Sequence, residues 1–113
     1  MEKFIVNGEV QLRGNIRISG AKNATLPVMA ASLLCSGESH IYDVPELRDI
    51  KAMQDILSLL GAKIIRQGST LSIDTSAIHK QEIPEHLMRE MRASVFLMGP
   101  LLGRFKRVRL SYP

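Results

Sequence analysis

Ser19-Gly20-Ala21-Lys22-Asn23-Ala24 places a lysine and an amide where an extended run gives way to a helix. A glycine, the unpaired N–H groups of a helix start, the helix dipole and an ammonium then converge on one spot. That combination suits a phosphate or a carboxylate. The same spacing also describes a surface lysine at an ordinary strand–Gly–helix junction, so spacing leaves both readings open. Arg92 poses a parallel question. In Arg89-Glu90-Met91-Arg92-Ala93-Ser94-Val95-Phe96-Leu97-Met98 it stands where a polar turn meets a strongly apolar helix. It is either a solvated flank or a fork that grips an oxyanion at a cavity edge.

Other chemistries find little support. His40, His79 and His86 are too scattered for a metal site, and the single cysteine has no partner spacing with them. Cys35 follows Leu33-Leu34 at the end of an apolar helix and reads as a small buried hydrophobe. Gly14, Gly20, Gly61 and Gly68 form neither a dinucleotide fingerprint nor a P-loop. No Ser-His-Asp arrangement can be argued, since those roles are set by geometry.

The elements that would position Lys22 and Arg92 alternate between strand and helix. Phe4-Ile5-Val6 and Val10-Gln11-Leu12 flank the turn signal Asn7-Gly8, and Ile16 and Ile18 carry the extended pattern to Gly20. A first helix is expected from about Asn23 to Cys35, with Pro27 in its first turn and Gly37 as its C-terminal cap. His40 to Val44 reads as a strand ended by Pro45. A second helix follows, with Asp49 as N-cap and Ile50, Met53, Ile56, Leu57 and Leu60 on one apolar face. Gly61 ends it. Lys63–Arg66 and Thr70–Asp74 bracket Gln67-Gly68-Ser69 as a hairpin, and a polar stretch runs on to Pro84. A helical segment over about Glu85 to Phe105 is expected to kink near Gly99-Pro100, before a final strand at Arg107–Ser111. The order from Ile16 to Asp74 is a βαβαββ unit, and a second passage begins after Pro84. The fold class is therefore mixed α/β, with helices packed beneath a sheet.

A chain of 113 residues, 45% hydrophobic and 23% charged, suits one modest domain and not a disordered segment. No apolar run reaches the roughly 20 residues that span a bilayer, and the N-terminus lacks a signal-peptide pattern. One cysteine leaves no internal disulfide framework, which favours the cytoplasm. The net charge of +4 is concentrated at Arg104, Lys106, Arg107 and Arg109. With no tryptophan and few stacking side chains, that run fits the wet face of a strand better than a nucleic-acid patch.

Ile18-Ser19-Gly20-Ala21-Lys22-Asn23-Ala24, Asp43-Val44-Pro45, Leu60-Gly61-Ala62, and Met91-Arg92-Ala93-Ser94 with Met98-Gly99-Pro100-Leu101-Leu102 resemble the enolpyruvyl transferase family along the whole chain. The first and fourth groups are specific in this order and spacing; the middle two are weak alone. The Gly-Ala-Lys-Asn context, in place of Gly-Ser-Lys-Ser, is similar to the cell-wall branch and not to the shikimate branch. The resemblance implies an inside-out α/β barrel of two domains, each built from three βαβαββ units. It implies transfer of the enolpyruvyl group of phosphoenolpyruvate to the 3′-hydroxyl of UDP-N-acetylglucosamine, without a cofactor or metal. By the same resemblance Lys22 and Asn23 hold phosphoenolpyruvate and Arg92 contacts the sugar nucleotide. No nucleic acid or membrane is implied as a partner.

Family members are several times longer, and their mobile loop carries a cysteine in a Pro-Gly-Gly-Cys motif. That loop would open where this chain reaches Ser111-Tyr112-Pro113. The expectation is an N-terminal fragment, inactive alone, with no catalytic acid, base or cysteine of its own. Residues 1–20 are expected to belong with a C-terminal domain outside the chain, and 21–113 to begin the N-terminal domain. The alternative is a small stand-alone binding module that keeps the fold unit without catalysis.

Overall fold

The computed structural model describes residues 2–79, 82–90 and 92–110; the side chains at 90 and 92–94 lie outside that description. The elements in chain order are α1 (Lys22–Ala31), β1 (Glu38–Ile41), α2 (Arg48–Leu60), β2 (Lys63–Gln67), β3 (Thr70–Asp74), β4 (Glu82–Ile83), α3 (Glu85–Glu90), α4 (Met98–Phe105) and β5 (Arg109–Leu110). Single 3-10 segments follow α1 at Ser32–Leu34 and precede α4 at Arg92–Leu97. The architecture is mixed α/β, as the alternating pattern requires.

β3 is the centre of a three-stranded sheet and runs antiparallel to both neighbours, with Ile73 opposite Ser39 of β1 and Ile64 of β2. β1 and β2 therefore run in the same direction on either side of β3, joined by α2 as their crossover. Every residue of the periodic stripe on α2, Ile50, Met53, Ile56, Leu57 and Leu60, is buried. Leu71 and Ile73 of β3 and Leu26, Met29 and Leu33 of the first helical stretch complete the same core. Gly61 ends α2 in a positive-φ cap at 119°, with Ala62 N–H returning to the Leu57 carbonyl at 3.0 Å. The hairpin forms with Gly68, φ 61°, at the first position of its two-residue turn. β4 and β5 pair in parallel, Ile83 opposite Leu110, and the α3–α4 passage is the crossover that such pairing needs. The second passage thus starts with a strand, inside what the sequence reads as a polar stretch.

Several boundaries differ from expectation, each for a local reason. The strands expected at Phe4–Val6, Val10–Leu12 and Ile16–Ile18 do not form among the described residues. A strand exists only beside a hydrogen-bonded neighbour, and no described strand pairs with 2–20. The chain instead bends at Glu9 and Gly14, leaving Phe4 99%, Leu12 93% and Ile16 91% exposed. The radius of gyration is accordingly 17.3 Å, against about 13 Å for a compact chain near this length. α1 begins at Lys22, which puts Pro27 sixth in the helix, past the first turn, where it lacks the N–H that would bond the Asn23 carbonyl. The tightening into Ser32–Leu34 buries Leu33 and turns Cys35 out to the surface, so Cys35 is not a core residue. Gly37 caps no helix. With φ 141° it precedes β1, and its carbonyl accepts the Thr75 N–H at 2.9 Å.

β1 ends at Ile41, three residues earlier than expected, because Asp43 adopts φ 56° and the Val44 N–H turns to the Ser69 carbonyl at 2.8 Å. Asp49 is not an N-cap. α2 starts at Arg48 after Leu47, which makes no side-chain cap, and Asp49 sits inside the first turn. The 85–105 segment is interrupted by the 3-10 turn at Arg92–Leu97 and not at Gly99-Pro100. Those two residues open α4, where a proline's lost N–H costs nothing. Of the final strand, Arg109 and Leu110 are observed, and Ser111 lies outside the described residues.

Candidate functional site

Lys22 is the first residue of α1, and the backbone around it is built for an abrupt entry. Ala21 is extended (φ −91°, ψ 127°), and its carbonyl accepts both the Thr25 N–H at 3.0 Å and the Thr25 hydroxyl at 2.7 Å. Thr25 is the first residue whose N–H is used, and no side chain caps the helix. The N–H groups of Lys22, Asn23 and Ala24 therefore have no intrahelical acceptor. Gly20 is required by proximity and not by an unusual turn: a Cβ there would lie 1.7 Å from the Asp43 carbonyl oxygen. Arg17 reinforces this contact through Nη2 to Asp43 Oδ1 at 2.5 Å.

Asp43 and Val44 belong to the connection that delivers α2. That connection is fastened to the β2–β3 hairpin by the Val44 N–H to Ser69 and by Arg66 Nη2 donating to the Val44 carbonyl at 2.6 Å. Arg66 also lies 3.7 Å from Glu46. Holding the connection in this way brings the head of α2 up to the head of α1. Asp49 Oδ2 stands 3.0 Å from Lys22 Nζ, and both side chains are roughly two-fifths exposed, at 37% and 40%. The ammonium thus sits at a corner made by two helix starts, open to water on one side. Asn23 follows it on the exposed rim.

Lys22 and Asn23 are the first two residues of α1. Arg92 opens the 3-10 segment that packs against α1, which places its backbone in the neighbouring layer; its side chain lies outside the described residues. Asp49 is the member that sequence reasoning missed. The available signal is an acid in the first turn of the helix after the Lys22 helix, a place that also suits a capping residue. A groove of about 470 Å³ lies on the other side of Gly20, lined by Arg17, Asp43, Glu46 and Arg66 among others. Both of its guanidiniums are already engaged. Among the described residues no group of three or more His, Cys, Asp or Glu could hold a metal ion. No described helix is long and apolar enough to cross a membrane. The basic C-terminal residues are spread over different elements: Arg104 donates to the Leu33 carbonyl at 3.2 Å and lies over the Phe105 ring, while Arg109 pairs with Glu82 at 4.0 Å.

Comparison with known proteins bears on the chain as a whole. The chain is 49% identical over 113 residues to a UDP-N-acetylglucosamine 1-carboxyvinyltransferase of Desulfatibacillum aliphaticivorans, covering all of this chain and 27% of that protein. It is 46% identical to the enzyme of the same name from Desulfosudis oleivorans, again over 100% of this chain and 27% of the relative. The chain thus spans about a quarter of the length of the curated relatives it matches. The crystal structure of the enolpyruvyl transferase NikO from Streptomyces tendae superposes with a TM-score of 0.72 at 27% identity, over 84% of this chain and 22% of that one. The family model for EPSP synthase (3-phosphoshikimate 1-carboxyvinyltransferase) matches residues 6–112. Because that match spans nearly the whole chain, the chain belongs to the EPSP synthase family.

Proposed function

We propose that this chain supplies the phosphoenolpyruvate-facing corner of a cytoplasmic transferase that moves an enolpyruvyl group to the 3′-hydroxyl of UDP-N-acetylglucosamine. The observation that carries the reading is the Lys22 ammonium standing at the uncapped head of α1, beside Asn23. A phosphate brought there meets a positive charge and up to three free backbone N–H groups, and the reaction releases that phosphate. Arg92 takes the sugar nucleotide from the adjoining layer. The relatives' name supports UDP-N-acetylglucosamine as the acceptor and a carboxyvinyl group as the group transferred. The residues of this chain bind and orient; the acid–base groups come from the rest of the protein.

In this reading residues 1–20 are strands of the second domain, and 21–113 are the first unit and the start of the second in the N-terminal domain. The apolar side chains of Val10, Leu12, Ile16 and Ile18, all exposed, support that assignment, because their alternation fits a half-buried sheet.

The test is steady-state kinetics on the full-length protein carrying Lys22→Ala. Loss of one charged donor to a phosphate of changing charge is expected to lower kcat and to raise KM for phosphoenolpyruvate, by about 3 kcal/mol in total. Arg92→Ala is expected to raise KM for the sugar nucleotide more than it lowers kcat. Near-normal rates and binding in Lys22→Ala would return Lys22 to the status of a surface lysine and defeat the proposal.

A further inference from the structure

We infer that Asp49 is a positioning residue for Lys22, fixing the ammonium at the corner where the phosphate of the enolpyruvyl donor binds. This rests on the reading of Lys22 given above and adds a residue to it. A lysine on a four-carbon stem has many rotamers, and an unrestrained ammonium at a helix start would spend most of its time in solvent. Asp49 removes that freedom. Its carboxylate lies 3.0 Å from Nζ and comes from a different helix, so the contact ties the head of α2 to the head of α1.

Asp49 is itself held. It lies in the first turn of α2, where a carboxylate is favoured by the helix dipole, and α2 is anchored by its buried face of Ile50, Met53, Ile56 and Leu57. The connection before it is fastened to the β2–β3 hairpin through Val44. The carboxylate is therefore a fixed point, and the lysine is the flexible partner brought to it. Exposed pairs of this kind contribute little to stability. Its position at the ligand corner gives the pair a role in placement, where a displacement of about 1 Å can cost two orders of magnitude in rate.

A double-mutant cycle on the full-length protein separates placement from folding. Asp49→Ala is expected to lower kcat/KM for phosphoenolpyruvate by about 10-fold or more in the parent, and by less than about 2-fold when Lys22 is already alanine. KM for UDP-N-acetylglucosamine and the melting temperature should stay close to the parent's. Asp49→Asn keeps the shape and one acceptor oxygen, and it should fold as the parent does and show the same coupling to Lys22. Equal losses from Asp49→Ala in both backgrounds, or losses that follow the melting temperature and strike both substrates alike, would overturn the inference while leaving Lys22 in its role. If Lys22→Ala is itself without effect, the functional reading and this inference fall together.

Discussion

Replacing Gly20 with alanine tests whether the junction before Lys22 sets the geometry of the corner. Gly20 is not in a positive-φ conformation, so an alanine there meets no backbone strain of its own. What it meets is Asp43: the added carbon would lie 1.7 Å from the carbonyl oxygen and 2.9 Å from the carbonyl carbon. Restoring ordinary van der Waals separation requires the two segments to part by roughly 1.5 Å. Asp43 cannot yield freely, because the next residue is bonded to Ser69 and Arg66. The displacement therefore falls on the segment leading into α1, two residues before Lys22. A shift of that size is expected to cost about 100-fold in kcat/KM for phosphoenolpyruvate. The cost in stability is smaller, about 1–3 kcal/mol from overpacking, offset in part by about 0.4–1 kcal/mol from the stiffer unfolded chain. The assay is kinetics of full-length Gly20→Ala beside Gly8→Ala, whose added carbon would touch nothing within 4 Å. If both variants retain parental kcat/KM, the contact with Asp43 does not position Lys22, and the account of the junction is wrong.

Three further outcomes test the framework. Gly61→Ala combines φ 119° with contacts of 2.6 Å to His79 Nδ1 and 2.7 Å to the Ala77 carbonyl; urea unfolding is expected to show a loss of about 2–4 kcal/mol. Thr75 is fully buried, and its hydroxyl reaches the Cys35 carbonyl at 2.5 Å, so Thr75→Val should destabilise by about 1–2 kcal/mol in the same measurement. Asp74 accepts hydrogen bonds from the Ser76 N–H at 3.0 Å and hydroxyl at 2.7 Å, which hold its carboxyl below the usual range, with help from Lys63. A depressed folded pKa stabilises above the unfolded value and is lost as pH falls through the folded one. An NMR titration should therefore place the Asp74 midpoint below that of an unstructured aspartate, and Ser76→Ala should move it up.

What the sequence made legible was what one-dimensional periodicity can carry. The α2 stripe, its Gly61 cap and the β2–β3 hairpin all follow from spacings of three to four, from a glycine stop and from paired alternation. The N-terminal alternation is legible as a pattern, but residues 2–20 form no strand here, since a pattern cannot supply the neighbour that makes it a strand. Pro100 looked like a break because prolines interrupt helices; placed in the first turn of α4 it starts one. Lys22 and Asn23 stand out by residue type at a helix start, and α1 begins at Lys22. Asp49 was visible only as a cap, because the approach of α1 and α2 depends on how Val44 is held. Cys35 was misplaced because a 3-10 turn after Ala31 rotates the following side chains by an amount that helical spacing does not encode.

The fastening of Val44 to the hairpin also bears on how the molecule tolerates change. An exposed two-residue turn such as Gly68-Ser69 would ordinarily accept insertions at little cost, since tips of this kind carry few contacts. Here the Ser69 carbonyl holds the Val44 N–H, and Arg66 reaches from the hairpin to the Gly68 and Val44 carbonyls. One added residue would lift those groups away from the connection that delivers Asp49. The turn is thus on the surface yet closed to length variation, and any lengthening there would be felt across the sheet, at the two helix heads.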